Sequence, residues 1–310
     1  MQRLTLAGGI PADLQGSIVA LGNFDGFHLG HQAVVSRAVA RAFHERRPVI
    51  VATFDPHPVK FFKPDVPPFR LTSLDQREAL FAHAGADAML VFEFDERLRS
   101  TTAEDFVGKL LAEQIGAAGV VTGDDFGFGK GRAGNVELLR RLGPAHGIAT
   151  EAVAPVLIDS VRVSSGRVRE ALQAGDAATA THFLSRDYAI RGVVQDGDKR
   201  GRELGYPTAN LELGDYQRPK YGIYAVRVTL EDGSEHPGVA SVGVRPTFDP
   251  PRELLEAHLF DFSGDLYGRT IEVALHAFIR DERKFDSAEA LVAEMRKDEA
   301  QARQMLALPT

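Results

Sequence analysis

In the first half of the chain, hydrophobic residues form short β-rich runs, separated by stretches in which apolar residues recur at helical spacing. This alternation of strands and helices is typical of a parallel sheet covered by helices. We therefore predict a doubly wound α/β domain. Its strands are expected at residues 17–21, 48–54, 88–94, 119–121 and 148–153.

The pattern changes near Ser185, after two more predicted helices at residues 165–173 and 177–184. Beyond this point the β-rich runs follow one another with turns between them, which predicts a small antiparallel β-barrel and a C-terminal helix over residues 287–305. We place the domain boundary at this change, giving domains 1–185 and 186–310. The barrel strands are expected at residues 189–195, 222–230, 239–242, 254–260 and 270–278.

Composition narrows the functional classes. The chain has 310 residues, of which 44% are hydrophobic, and its net charge of -7 argues against a nucleic-acid partner. No cysteine is present, which excludes disulfides and thiolate chemistry and favours a cytoplasmic protein. No apolar stretch approaches the roughly 18 residues of a membrane span, and the start does not resemble a targeting segment. We expect a soluble protein that acts on small molecules, and the sequence assigns no oligomeric state.

The first candidate site follows the strand that ends at Leu21. Residues 22–31 contain three glycines and lead into a helix that begins at about Gly30. Glycines let the backbone approach a ligand closely, and a helix start attracts anions. His28 and His31 stand three residues apart and can donate to phosphate oxygens. They could also be ordinary surface histidines or a metal pair, although no third ligand with recognisable spacing accompanies them.

Two further segments could bind phosphate. Ser164 and Ser165 stand at a predicted helix start followed by Arg169, an arrangement that serves either as an ordinary N-cap or as a clamp for phosphates. Residues 197–211 contain a glycine-rich basic loop and, after it, Thr208 and Asn210. The neutral oxygens of these two side chains suit Mg²⁺. Taken alone, this second segment is better explained as a charged hairpin loop.

Together these motifs resemble the bacterial bifunctional riboflavin kinase/FAD synthetase family over nearly the whole chain. The resemblance rests on residues 22–31 with their His-x-Gly-His core, 53–58, 123–129, the serine pair, and the Pro-Thr-Ala-Asn sequence at 207–210. It implies that His28 and His31 bind and stabilise the ATP phosphates. The nucleotide- and flavin-binding residues implied for the N-terminal half are Gly22, Asn23, Phe24, Gly30, Asp125, Ser164, Ser165 and Arg169. Gly166 departs from the family, which commonly has threonine after the serine pair.

For the C-terminal half, the resemblance implies a riboflavin kinase. Thr208 and Asn210 would be Mg²⁺ and ADP ligands, with Gly201 in the loop before them. A kinase that acts on an alcohol needs a carboxylate to accept the hydroxyl proton, and Glu256 matches the family's catalytic glutamate. An outward-facing strand residue is the other explanation of Glu256.

The expected function is the phosphorylation of riboflavin to FMN, followed by adenylylation of FMN to FAD with release of pyrophosphate. ATP is the co-substrate and Mg²⁺ the expected metal in both steps. One alternative is another nucleotidyltransferase, acting on pantetheine phosphate or nicotinate mononucleotide, with an unrelated barrel. The Pro-Thr-Ala-Asn and Glu256 segments argue against it. A non-catalytic flavin-binding protein is the other alternative, and the intact histidine pair argues against that.

Overall fold

A computed structural model describes residues 1–196, 205–245 and 252–307 of the chain. The chain divides into two compact units, each described here by itself. The first comprises Met1–Pro67 and Leu74–Ser164, and the second comprises Pro68–Ser73 and Ser165–Thr310.

The first unit contains a parallel six-stranded sheet with strand order β1-β4-β3-β2-β5-β6. The five predicted strands are confirmed. Edge strand β1 was not predicted, because its exposed residues give no hydrophobic run. The strands are β1 Gln2–Thr5, β2 Ile18–Leu21, β3 Val49–Asp55, β4 Ala88–Glu93, β5 Gly119–Gly123 and β6 Ala149–Val153.

Helices pack on this sheet, and β2 and the first six residues of β3 are buried. Thr102 caps one helix start by accepting a hydrogen bond from the Asp105 N–H (3.0 Å). That helix continues as a π-helical segment, Phe106–Gln114. The helices are α1 Leu29–Glu45, α2 Pro58–Phe62, α3 Leu74–His83, α4 Glu96–Ser100, α5 Ala103–Asp105 and α6 Val136–Leu142.

The strand order reverses between β2 and β5. From β2 the chain proceeds to β3 and β4 on one side, whereas β5 and β6 lie on the other. In open α/β sheets, ligands bind beyond the carboxyl ends of the strands at such a switch point. The loops after Leu21 and Gly123 begin at this point, and the Thr122 hydroxyl joins the two strands by donating to the Leu21 carbonyl (2.8 Å).

The second unit contains an antiparallel sheet with strand order β10-β13-β12-β11-β14-β9, which confirms the predicted barrel. The sheet nearly closes, because the Gln195 N–H donates to the Asn210 carbonyl (2.9 Å) between its two outer strands. Strand β10 was not predicted, since its first three residues belong to the segment 197–211 that was interpreted as a loop. The strands are β9 Tyr188–Val193, β10 Ala209–Glu212, β11 Gly222–Thr229, β12 Glu235–Arg245, β13 Arg252–Leu259 and β14 Thr270–Arg280. A short hairpin, β7 Leu157–Ile158 with β8 Val161–Arg162, belongs to the first unit.

Two helices precede the barrel, α7 Ser165–Ala174 and α8 Ala177–Leu184, and α9 Ala288–Met305 follows it. The second unit also includes Pro68–Ser73, which we call the strap. The strap's Arg70 donates its N–H to the Asp215 carbonyl (3.0 Å) and accepts from the Gln217 N–H (2.7 Å). Backbone hydrogen bonds therefore hold the strap to the loop between β10 and β11.

These bounds bear on where the two halves of the chain separate. The second compact unit contains α7 and α8 together with the barrel. The change in sequence pattern, in contrast, falls after these two helices, near Ser185. The predicted domains 1–185 and 186–310 concern independent folding, and they stay a prediction.

Candidate active sites

The loop after β2 is shaped by two phenylalanines that point inward. Phe24 and Phe27 adopt positive φ values of 49° and 42°, and both rings pack edge-on against the buried ring of Phe81. Positive φ is unfavourable for residues with a large side chain, so this packing must offset the strain. A Cβ at Gly22 would lie 3.0 Å from the Phe24 ring, which explains the glycine at that position.

His28 and His31 are brought together at the start of α1. Their rings stack with centroids 3.6 Å apart, and His28 is buried. The His28 Nδ1 accepts a hydrogen bond from the His31 backbone N–H (3.3 Å), so His28 is the N-cap of α1. Because Nδ1 is an acceptor, the ring is neutral and its proton lies on Nε2. Nε2–H is therefore the group of His28 that can donate to an anion.

The Asn23 carbonyl accepts hydrogen bonds from two residues to which the sequence analysis gave no role. The Thr53 hydroxyl donates to the Asn23 carbonyl (2.7 Å), and the Arg77 guanidinium donates to both the Thr53 hydroxyl (2.8 Å) and the Asn23 carbonyl (3.3 Å). Arg77 is buried, and its charge lies 3.8 Å from Asp55. The Asn23 Oδ1 is buried and has no hydrogen-bond partner among the described residues, as expected of an atom that serves a ligand.

Asp125 lies in the loop after β5, at the switch point. Its carboxylate pairs with Arg162 at 2.6 Å, and Arg162 also lies 3.8 Å from Asp124. The sequence analysis singled out Asp125 without Arg162, because the two residues are distant in sequence. The pair joins the predicted flavin loop to the segment that leads into the serine pair.

The serine pair stands where the chain passes from one unit to the other. Ser164 ends the first unit, and the carbonyl of Val163 before it lies 3.7 Å from the position of a Cβ at Gly30, near the start of α1. Ser165 begins α7 in the second unit. In that unit, Arg169 donates from Nε to the strap carbonyl of Phe69 (2.7 Å) and lies over the Phe69 ring.

The second site is assembled on neighbouring barrel strands. Asn210 of β10 is directly opposite Glu256 of β13, and Glu256 is also opposite Ser241 of β12. Side chains opposite each other in a sheet project to the same face. The structure therefore places Asn210 and Glu256 on one face of the sheet, with Thr208 immediately before β10. Gly201 lies outside the described residues.

Glu256 also has a charged partner that the sequence analysis missed. Arg245, at the end of β12, contacts Glu256 at 2.8 Å and Glu282 at 2.8 Å, and donates to the Ser241 hydroxyl (2.7 Å). Burial of the Arg245 guanidinium disfavours its charge, but the two carboxylates outweigh this effect and raise its pKa. Arg245 thus holds the Glu256 carboxylate in a defined orientation.

Thr208 and Asn210 also line a pocket of about 640 Å³, including its open mouth. Residues on its other walls come from the segment after β13, among them Phe262, Asp265 and Tyr267. The pocket is open to solvent, so a ligand could reach Thr208 and Asn210.

Comparisons with known proteins match both halves of the chain. A family model described as FAD synthetase matches residues 10–167, and one described as riboflavin kinase matches residues 184–306. The bifunctional riboflavin kinase/FMN adenylyltransferase of Pseudomonas fluorescens is 42% identical over 94% of both chains. Its counterpart in Escherichia coli K12 is 38% identical over 96% of this chain and 95% of its own. The chain belongs to this bifunctional family. The predicted membership is confirmed.

Each family model contains one group of predicted site residues. The FAD synthetase match includes His28, His31 and Asp125, and the riboflavin kinase match includes Asn210 and Glu256. The roles of the individual residues stay predictions.

A crystal structure described as a macrolide-efflux protein from Streptococcus pneumoniae has the same fold. Its TM-score is 0.87 at 31% identity, over 98% of this chain and 99% of that one. Within the described part of the present chain, no helix is long and apolar enough to cross a membrane.

Proposed function

We propose that each unit carries one of two successive reactions, in keeping with the family. The second unit transfers the γ-phosphoryl group of ATP to the 5′-hydroxyl of riboflavin, giving FMN and ADP. The first unit transfers the adenylyl group of another ATP to FMN, giving FAD and pyrophosphate. The observation that carries this proposal is the separation of the two family matches, each of which contains its own group of site residues.

For adenylylation, we infer that an oxygen of the FMN phosphate attacks the α-phosphorus of ATP and that pyrophosphate leaves. Negative charge builds up on the phosphate oxygens during this step, and donors already aimed at them lower the barrier. His28 can donate through Nε2–H, because its Nδ1 is committed to the His31 N–H. The backbone N–H groups at the start of α1 add the positive end of the helix dipole.

An aromatic surface supports flavin binding to the first unit. Phe61 and Phe62 of α2 pack edge-on against Phe94, and Phe62 remains 57% exposed. Exposed aromatic rings beside the carboxyl ends of a sheet offer a face to a flat apolar ring system. The flavin ring is therefore proposed to lie against α2.

For phosphorylation, we infer that Glu256 accepts the proton of the riboflavin hydroxyl as that oxygen attacks the γ-phosphorus. Arg245 orients the carboxylate from the neighbouring strand. Phosphoryl transfer depends mainly on positioning and charge stabilisation, so no covalent enzyme intermediate is required.

The residues present fit the Mg²⁺ ion that this reaction implies. The Asn210 Oδ1 is buried and has no hydrogen-bond partner among the described residues, which leaves a neutral oxygen available to a hard cation. Thr208 lines the same pocket. These two side chains would hold Mg²⁺, which would neutralise charge on the ATP phosphates.

The absence of cysteine supports the assignment of both reactions to the cytoplasm.

The test is product analysis of a variant that affects only one site. A His28→Ala/His31→Ala variant should form FMN from riboflavin and ATP at the rate of the unaltered protein, whereas FAD formation from FMN should fall by at least about 100-fold. Loss of both activities in a folded variant would contradict the assignment of separate sites. Incubation with pantetheine phosphate or nicotinate mononucleotide in place of FMN tests the rival nucleotidyltransferase activities.

A further inference from the structure

A histidine on β13 contacts the backbone that carries Thr208. His258 lies two residues after Glu256, so both side chains project to the same face of the strand. The His258 Nδ1 lies 2.8 Å from the carbonyl oxygen of Pro207. In the antiparallel register, Ala209 is opposite Ala257. His258 is therefore opposite Thr208, the residue immediately before β10.

The chemistry of this contact fixes the direction of the hydrogen bond. A carbonyl oxygen only accepts hydrogen bonds, so the His258 Nδ1 must carry a proton and donate it. That donor is present in the neutral Nδ1–H tautomer and also in the imidazolium.

A second contact extends this support to the C-terminal helix. The Tyr206 ring packs against the His258 ring with centroids 4.9 Å apart, and the Tyr206 hydroxyl donates to Glu299 of α9 (3.3 Å). Tyr206 is buried, whereas His258 is half-buried. The backbone at Pro207 is thus held from two directions immediately before Thr208 and Asn210.

We propose that His258 is a positioning residue of the kinase site, holding the Pro207 carbonyl so that Thr208 enters the pocket in its binding orientation. The inference rests on the proposed function, which assigns Thr208 and Asn210 to Mg²⁺ and the ATP phosphates. An oxygen ligand displaced by a fraction of an ångström binds Mg²⁺ poorly, because this ion demands near-ideal octahedral geometry. Loss of the hydrogen bond should therefore weaken the use of Mg-ATP.

The experiment uses the full chain with three substitutions. His258→Leu removes the donor, and His258→Asn can place an amide N–H near the position of Nδ1. His182→Leu, the matched control, makes the same replacement at an exposed histidine of α8. The measurements are kcat and KM for riboflavin phosphorylation as a function of Mg²⁺ concentration, and FAD formation from supplied FMN.

We expect His258→Leu to raise the Mg²⁺ concentration for half-maximal phosphorylation by about 10-fold, the size of effect expected from a lost hydrogen bond and a misplaced ligand. His258→Asn should restore it to within about threefold. His182→Leu should match the unaltered protein, and FAD formation should be unchanged in all three. If His258 acts only as a hydrogen-bond donor to Pro207, His258→Asn should also keep the pH profile of kcat.

Three results would overturn the proposal: an unchanged Mg²⁺ dependence in His258→Leu, equal impairment of the Leu and Asn variants, or the loss of one limb of the pH profile in His258→Asn. The last would make His258 a proton acceptor instead. Asn210→Ala tests the underlying site separately. If Asn210→Ala phosphorylates riboflavin normally, the proposed kinase site fails; if only Asn210→Ala is impaired, the site stands and the role of His258 fails.

Discussion

Asn210 of β10 lies directly opposite Glu256 of β13 in the antiparallel register of the barrel. Cβ atoms of such opposed residues are about 4.5–5.5 Å apart. An amide oxygen suited to Mg²⁺ and a carboxylate suited to proton transfer therefore project to the same face of the barrel sheet. The proposed phosphorylation needs both kinds of group close to the reacting atoms.

Replacement of Glu256 by Gln keeps the size of the side chain but removes the proton acceptor. We expect riboflavin phosphorylation to fall by about 100-fold or more, the usual contribution of a positioned general base. Adenylylation of supplied FMN should continue at the normal rate. Single-turnover phosphorylation with saturating ATP is the measurement.

Glu212→Gln is the control for this prediction. Glu212 ends β10 and is exposed, and its carboxylate lies 3.4 Å from Arg252. It should phosphorylate riboflavin at the normal rate. If Glu256→Gln retained normal turnover as well, Glu256 would have no part in the chemistry.

Arg77 should be important for the adenylyltransferase, although its side chain is buried beneath the nucleotide loop. Arg77→Met removes the two hydrogen bonds that hold Thr53 and the Asn23 carbonyl. We expect kcat/KM for FAD formation to fall by roughly 10- to 100-fold, because small misplacements of a binding loop are costly. Steady-state kinetics with varied ATP would measure this, and riboflavin phosphorylation should be unaffected.

Arg140→Met provides a comparison, since Arg140 is an exposed residue of the same unit that pairs with Glu137. It should leave FAD formation unchanged. Equal kinetics in the two Met variants would show that Arg77 does not position the loop.

The ion pair between Glu253 and Arg218 predicts a pH dependence of stability. Glu253 accepts from Nε and Nη2 of Arg218 and from the Tyr221 hydroxyl, and the Arg218 guanidinium lowers the pKa of the Glu253 carboxyl despite partial burial. A carboxyl group whose pKa is lower in the folded state stabilises the fold at pH values above its pKa in the unfolded chain, which is about 4.3 for Glu. This stabilisation is lost as the pH falls through the pKa of the folded state.

Glu253→Gln should therefore destabilise the protein near neutral pH by about 1 kcal/mol, a modest value because the carboxylate is partly exposed. The difference between variant and unaltered protein should shrink as the pH falls below about 4. Urea unfolding followed by circular dichroism at several pH values would measure it. A difference that grew on acidification would reverse the assigned direction of the pKa shift.

The domain boundary predicts how the second half behaves by itself. A chain of residues 186–310 retains all the barrel strands and should make FMN without FAD. A chain of residues 165–310 keeps α7 and α8 as well, and the buried side chains of Phe183 and Leu184 should make it more stable. A start at Gly192 would remove Tyr188–Arg191, the part of β9 that pairs with Glu272–Leu275 of β14.

Thermal unfolding and product analysis of the two chains with riboflavin and ATP would test this prediction. Equal melting temperatures would show that α7 and α8 contribute nothing to the barrel. A folded 186–310 chain that makes no FMN would show that the kinase site needs residues before Arg186.

The sequence predicted those elements whose pattern is local. The parallel strands are buried apolar runs, and caps such as Thr102 act within one helical turn. The short strands β1 and β10 were missed, because β1 is largely exposed and β10 has only four residues. Their pairing depends on β4 and β13, which lie far away in the sequence.

The same reason explains which residues of the candidate sites the sequence indicates by itself. His28, His31, Thr208 and Asn210 belong to compact motifs that a sequence displays directly. Arg77 reaches Asn23 across 54 positions, and Arg162 reaches Asp125 across 37. Arginines are common on surfaces, so only the folded geometry distinguishes these two from solvated ones.

The strap has a consequence for the gene as well as for the protein. Pro68–Ser73 belongs to the barrel unit, but in the sequence it lies between the two segments of the first unit. The chain therefore crosses from one unit to the other three times, after Pro67, Ser73 and Ser164. No single break in the reading frame yields two pieces that each hold a whole unit. A barrel encoded as a separate gene would therefore lack the backbone partners that Arg70 gives to Asp215 and Gln217.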